Sequence, residues 1–366
     1  MTLHFYFARK FLWRFLGLFA AFFALAVLTD TTTLLGKFDS AGLGFLDTLR
    51  LALLKAPTGV YQLLSMIVVL TTLMLFRGMS RSSELVAARA GGQSAFRMLM
   101  APVISAFLIG LIGIIAFNPL AATSLRQYET ETGRYNSGTV STFSLSRKGL
   151  WLRQGSDQGQ TVIFAERANF DATRLSGVTF FEFSNAGIAL RRIETGFARL
   201  SEGAWSLGPG KIWEINQQGR VPDKTALEFD SMSLPSDLTS DEILNSFGDP
   251  TTISIWEMQT FINRLEKSGF STERHKVHFQ MELAAPFLLA GMVLIGAVFS
   301  MRHQRAGRNG VMVLFTVLVG LGVFILQDFA QILGSNGAIP VFAAAWGPPI
   351  ATILLATGLL LHMEDG

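Results

Sequence analysis

Apolar and polar positions follow two different rhythms along this chain. Six predominantly apolar stretches approach the roughly 20 residues that cross a bilayer's hydrocarbon core. They are Phe11–Leu35, Thr58–Phe76, Met98–Phe117, Met281–Ser300, Val311–Leu333 and Val341–His362. Between the third and the fourth the rhythm shortens to the two-residue alternation of strands. Candidate strands are Thr139–Leu145, Gly149–Arg153, Thr161–Ala165, Val178–Phe183, Ile188–Glu194, Ala204–Leu207 and Lys211–Asn216. Turn signals separate them at Asn136-Ser137-Gly138, Gly155-Ser156-Asp157, Ser184-Asn185 and Gly208-Pro209-Gly210. Many short strands at this spacing favour an antiparallel sandwich or jelly roll over a parallel fold. The expected fold is therefore an α-helical integral membrane protein with six transmembrane helices and an inserted extracytoplasmic antiparallel β jelly-roll domain.

This pattern divides the chain into three parts. Residues 1–119 hold spans one to three and a short cytoplasmic helix at about 82–90. Residues 120–275 hold the β domain and a following helix, and 276–366 hold spans four to six. In the following helix, Ser254-Ile255-Trp256-Glu257 fits a capping box, with Ser254 as cap and Glu257 reaching back. Trp256, Phe261, Ile262 and Leu265 form its apolar stripe, and Gly269 is its terminator.

Charge sets the orientation. Arg9, Lys10 and Arg14 precede span one; Arg77, Arg81, Arg89 and Arg97 lie between spans two and three; Arg302, Arg305 and Arg308 lie between spans four and five. The opposite connections carry Lys37, Arg50 and Lys55, and the Gly334–Ala338 turn carries no basic residue. Excess basic charge on the cytoplasmic side puts both termini in the cytoplasm and the β domain outside. Arg9, Lys10 and Ala24-Leu25-Ala26 also resemble a secretory leader and its cleavage site. The apolar stretch runs on through Leu35, too far for a leader, so span one is expected to be retained.

Composition agrees. Charged residues make up 16% of the chain, against roughly 25% in soluble domains. A formal net charge of +3 does not suggest nucleic acid as a partner. With 0 cysteines, an external domain is held by packing and hydrogen bonds alone.

The most specific stretch is Arg81-Ser82-Ser83-Glu84-Leu85-Val86-Ala87-Ala88-Arg89-Ala90-Gly91-Gly92. Ser82 or Ser83 can cap a short helix, Glu84 suits its first turn, and Gly91-Gly92 ends it. Such a helix between two spans suits docking into a partner and passing motion to the membrane. The plain alternative is a polar connector. Asp328 is the acid deepest in an apolar stretch, flanked by Gln327 and Gln331; it either orients span five at a gate or ties helices together. Asp30 has the same ambiguity. Gly110 with Gly113, Gly291 with Gly296 and Gly320 with Gly322 allow close helix approach. His275 and His278 lack a third ligand and are read as interface residues, not as a metal site. No phosphate-binding Gly-x-x-x-x-Gly-Lys-Ser/Thr loop is present, so ATP-driven work would need another subunit. No hydrolase motif is present either, and no catalytic residue is assigned. A secondary transporter would show inverted repeats and broken helices, and the two halves do not visibly repeat.

The Arg-Ser-Ser-Glu-Leu-Val-x-x-Arg-Ala-x-Gly stretch resembles the permeases of the lipopolysaccharide transport complex, the LptF/LptG family. Leu54-Lys55-Ala56-Pro57 before span two, Asn118-Pro119 closing span three, Trp151 with Val162-Ile163-Phe164-Ala165-Glu166, Leu265-Glu266-Lys267-Ser268-Gly269 and Pro286 are similar to it as well. The likeness covers nearly the whole chain, and the strand opening and the Leu-Glu-Lys-Ser-Gly stretch are closer to LptG than to LptF. It implies a permease subunit of an ABC-type exporter in the inner membrane, with the β domain in the periplasm. Such an exporter extracts lipopolysaccharide and passes it to a periplasmic bridge. The implied partners are a dimeric cytoplasmic LptB-like ATPase, a second six-span LptF-like permease, a single-span periplasmic LptC-like protein and the lipid itself. No cofactor is implied. Arg81, Ser82, Glu84, Leu85 and Arg89 would couple to the ATPase, with Glu84 facing a basic group on it. Lys37, Arg126 and Asp328 would meet the lipid. Relatives carry several lysines after span one, whereas this chain has Lys37 and then Asp39.

Overall fold

A computed structural model of the chain describes residues 2–38, 44–92, 94–135, 144–146, 149–156, 159–168, 173–184, 187–201, 203–215, 226–236, 249–267, 271–300 and 309–364. Six helices among them are long and apolar enough to cross a membrane. Asp39, Asn136-Ser137-Gly138, residues 139–143 of the first candidate strand, Asp157, Asn185, Gly269 and the Arg302, Arg305 and Arg308 connection lie outside the described residues, as does the Arg89 side chain.

Helix α1 (Thr2–Phe38) is unbroken, as expected of a chain segment without proline. It begins well before the apolar stretch, so Tyr6, Lys10 and Arg14 are helical. The connection after it differs from expectation: α2 (Phe45–Gln62) is a helix, not a loop, and leads into α3 (Leu64–Arg81) past a single break at Leu63. Pro57 sits inside α2, so the Leu54-Lys55-Ala56-Pro57 stretch is helical. A short α4 (Glu84–Ala90) comes next.

Span three also outruns its expected end. Helix α5 (Ala95–Ile112) passes through a π turn at Gly113–Phe117 directly into α6 (Asn118–Tyr135). Asn118-Pro119 therefore does not close the span. The wider π turn accommodates a proline, whose missing N–H and bulk normally break a helix. The Ile115 carbonyl, four residues before Pro119, instead accepts from Trp256 Nε1 at 3.4 Å. Helices α7 (Ile255–Lys267), α8 (Glu273–Ser300), α9 (Asn309–Ser335) and α10 (Val341–Glu364) complete the helical elements.

The chain forms two compact units. The first comprises Met1–Glu129, Thr251–Met258 and Glu273–Gly366. Its core packs Phe7, Phe11 and Phe15 of α1 against Val68, Phe76 and Met79 of α3, and Met292, Val293 and Ile295 of α8. Gly110 and Gly296 make the crossings tight. A Cβ at Gly110 would lie 2.6 Å from Pro286 Cα, and one at Gly296 would lie 2.8 Å from Thr72 Cβ. Gly322, expected to do the same, faces open space. Helix α8 is the most enclosed span, with 72% of its apolar window buried, whereas α1 has 11% and α9 17%. Helices α1 and α9 thus leave most of their apolar surface uncovered by this chain.

The second unit comprises Thr130–Pro250 and Gln259–Thr272. Its strands are β1 (Ser144–Ser146), β2 (Gly149–Ser156), β3 (Gly159–Ala168), β4 (Arg174–Ser184), β5 (Ala189–Ser201), β6 (Ala204–Leu207), β7 (Gly210–Glu214), β8 (Leu227–Phe229) and β9 (Met232–Pro235). All pairings are antiparallel, and β1 to β5 run as a meander. The long β5 then forks. Its Arg191–Thr195 half pairs with β7, and its Ala198–Ser201 half pairs with β6, which in turn pairs with β9. The fork lets one sheet bend around a single core of Leu152, Ile163, Phe180, Ile193, Trp205, Leu207 and Leu234, joined by Leu265 of α7. Alternate residues on the opposite face include Trp151, Phe164 and Phe181, which stack across strands.

Candidate functional site

The segment between spans two and three is bracketed by two left-handed residues, Ser83 (φ 58°) and Gly92 (φ 77°). A non-glycine residue there is uncommon, because its Cβ crowds the neighbouring peptide oxygen. Ser83 thus fixes a sharp corner at the start of α4. The expected serine cap takes another form. The Ser82 hydroxyl donates to Glu84 Oε1 at 2.8 Å, with Gly78 O 3.1 Å from the same hydroxyl oxygen, and so orients the carboxylate. Leu85 is buried against the helical core, while Arg81 and Val86 are exposed.

The family resemblance gives Glu84 a basic partner on another subunit. In this chain it already has one. Lys10 Nζ donates to both Glu84 oxygens at 2.7 Å, and Tyr6 OH donates to Oε2 at 3.1 Å. Burial by itself would raise the carboxyl's pKa. The hydrogen bonds from Lys10, Ser82 and Tyr6 and the charge of Lys10 more than offset this and hold it below its ordinary value.

Nearer the other end of the spans, Lys55 on α2 forms an ion pair with Asp30 on α1 at 2.6 Å. This answers the ambiguity of Asp30: it joins two helices. Arg126 on α6 donates to Thr252 O at 3.0 Å and approaches Glu257 Oε2 at 3.4 Å. Half of the expected capping box forms: the Ser254 hydroxyl accepts from Trp256 N, but the Glu257 carboxylate meets Arg126. The Ile255 amide is taken by Asn118 Oδ1 at 3.0 Å. Lys37 lies in the last turn of α1 and is exposed.

A buried polar cluster has no counterpart among the sequence expectations. Tyr61 OH donates to Glu282 Oε2, and Glu282 Oε1 lies 3.7 Å from His278 Nε2. Tyr61 also stacks on Phe117 of the π turn at 5.7 Å. Glu282 is 8% exposed, so it, and not Asp328, is the enclosed acid of these helices. The available signal was Glu282 four residues after His278, just before an apolar run. Asp328 is no buried tie: it is exposed on α9 together with Ile325, Phe329 and Ile332. Its helix turns this face away from the chain's own core. Among the described residues no three His, Cys, Asp or Glu side chains converge as a metal site.

The site thus comprises a short helix tied to span one, and two spans with open faces, one bearing an acid. The family profile described as "Lipopolysaccharide export system permease LptF/LptG" matches residues 5–362. The chain belongs to this family. It is also 21% identical, over 359 residues, to the lipopolysaccharide export system permease protein LptG of Haemophilus influenzae, covering 95% of this chain and 96% of that protein. Membership makes it a multi-pass transport component.

Proposed function

We propose that this chain is one permease half of an inner-membrane lipopolysaccharide exporter, driven by a separate cytoplasmic ATPase. The observation that carries the reading is the incomplete covering of α1 and α9. Leu16, Leu25 and Leu28 on α1 and Leu318, Ile325 and Phe329 on α9 are exposed. Hydrocarbon alone could cover them, but Asp328 stands on the same side of α9 as Ile325 and Phe329. A carboxylate facing lipid is costly and calls for a protein partner or a wet cavity. A second, LptF-like permease would supply both by closing a chamber large enough for an acylated lipid. The basic side chain of Lys37 suits the phosphates of the headgroup at the chamber's rim. Arg126, already bonded to Thr252 and near Glu257, would share its guanidinium with them.

The stroke enters through α4. Arg81, Ser82, Glu84, Leu85 and Arg89 would form the surface that meets an LptB-like ATPase dimer, and closure of that dimer would shift spans two and three. The β unit, in the periplasm, would receive the lipid and extend through a sheet edge to an LptC-like partner and a bridge of similar folds. A secondary transporter, or another ABC permease with a periplasmic domain, is the alternative, and nothing in the helix arrangement favours either.

The test is photo-crosslinking in cells. A photoreactive residue at Ile325 or Leu28 should capture lipopolysaccharide or a second six-span chain, and one at the enclosed Val293 should capture neither. A tagged chain that copurifies without an ATPase or a second permease would refute the reading.

A further inference from the structure

Tyr6, Lys10 and Arg14 recur every four residues and so form one stripe along the first turns of α1. Each reaches the same neighbouring segment. Tyr6 OH and Lys10 Nζ hold the Glu84 carboxylate, and Lys10 also donates to Tyr6 OH at 2.9 Å. Arg14 Nη1 donates to the Met74 carbonyl of α3 at 2.6 Å. The Arg14 guanidinium passes so close over Gly78 that a Cβ there would lie 2.4 Å from Nη2. A parallel apolar stripe, Phe7, Phe11 and Phe15, is buried in the same core as Phe76, Met79 and Leu85. Span one is therefore clamped by charge and by packing to the very segment that carries α4.

Helix α1 is also continuous from Thr2 to Phe38. Lys37 lies 37 − 10 = 27 residues beyond Lys10, or about 40 Å along a rigid helix at 1.5 Å per residue. A displacement at Glu84 has a direct mechanical path to the far end of span one, without passing through spans two and three.

We infer that the Tyr6–Lys10–Arg14 stripe is a positioning device that carries the ATPase stroke from α4 to span one, with Lys10–Glu84 as its principal tie. This rests on the proposed transport function and adds to it a second task for Glu84, inside its own chain. On this reading span one is driven; it does not move only as a passive wall of the lipid chamber. Glu84 acting solely on the ATPase surface is the rival explanation, and a charge swap separates the two.

The experiment uses the full chain, assembled with its ATPase and partner proteins in lipopolysaccharide-containing vesicles. Lipid released per ATP hydrolysed is the readout. Lys10→Glu and Glu84→Lys should each lower that ratio about tenfold, within the usual range of coupling energies. The Lys10→Glu/Glu84→Lys double variant should recover part of it relative to Glu84→Lys alone, because the tie is restored with its charges exchanged while the ATPase-facing carboxylate stays lost. Lys10→Arg should stay near wild type, and Lys10→Gln, which adds no repulsion, should fall between. A double variant no better than Glu84→Lys alone overturns the inference, as does normal release per ATP in Lys10→Gln. A wild-type assembly that hydrolyses ATP and releases no lipid would instead defeat the transport reading itself.

Discussion

Glu84 and Glu282 are both acids with partners, and their surroundings give them different sensitivities. Glu84 accepts from Lys10, Ser82 and Tyr6, which holds its pKa below the ordinary 4.5. A carboxyl whose folded value is depressed stabilises the fold above its unfolded value, and that stabilisation is lost as pH falls through the folded value. The difference in thermal midpoint between the wild type and Glu84→Gln should therefore be full at about pH 7 and about pH 5.5, and shrink as pH falls below 4.5. Unfolding scans in detergent at those pH values measure it. Glu282 is enclosed, and losing it would remove the acceptor of the Tyr61 hydroxyl proton. Glu282→Leu should destabilise by roughly 1–3 kcal/mol. Adding Tyr61→Phe should cost less than the sum of the two single changes, by roughly 0.5–3 kcal/mol; strict additivity in the same scans would deny the contact. The sequence disclosed the Glu84 region through its serine, acid and glycine pattern. It did not disclose Lys10 as the partner, because 74 residues separate them and only the packing of α1 on α3 joins them. For the same reason the two readings of Asp328 stay open in the sequence: an apolar neighbourhood does not say which side of a helix is covered.

Among the elements, the spans were legible because each carries enough apolar residues in a row. Their continuations were not. Helix α2 contains Arg50, Lys55 and Pro57 and reads as a connector, yet packing of Leu51 and Ala52 against Leu34 of α1 keeps it helical. Asn118-Pro119 reads locally as an end, whereas the π turn that carries the helix past it leaves an Ile115 carbonyl that the remote Trp256 satisfies. Strands β8 and β9 are 3 and 4 residues long, too short for alternation to show. Close helix crossings give a direct check. Gly110→Leu would force a side chain into Pro286 and should cost roughly 1–3 kcal/mol. Gly322→Leu, with open space around it, should stay within about 0.5 kcal/mol of wild type. Equal losses at both sites would mean that α5 and α8 do not cross at Gly110.

At the scale of the whole molecule, both the orientation and the task rest on asymmetry. Basic residues gather at one end of the spans, which argues for α4 in the cytoplasm and the β unit outside. A chain with 0 cysteines makes this simple to examine. A membrane-impermeant thiol reagent should label Ser206→Cys in cells with a permeable outer membrane and leave Ala87→Cys unlabelled until the inner membrane is opened. The task itself is best tested by reassembly. This chain, a second permease, the ATPase and the single-span partner are placed in vesicles loaded with lipopolysaccharide, and crosslinking of the lipid to the periplasmic partner is followed in time. The expected result is crosslinking that grows only when both ATP and the ATPase are present. Lipid transfer without the ATPase, or none from a fully assembled complex hydrolysing ATP, would contradict it.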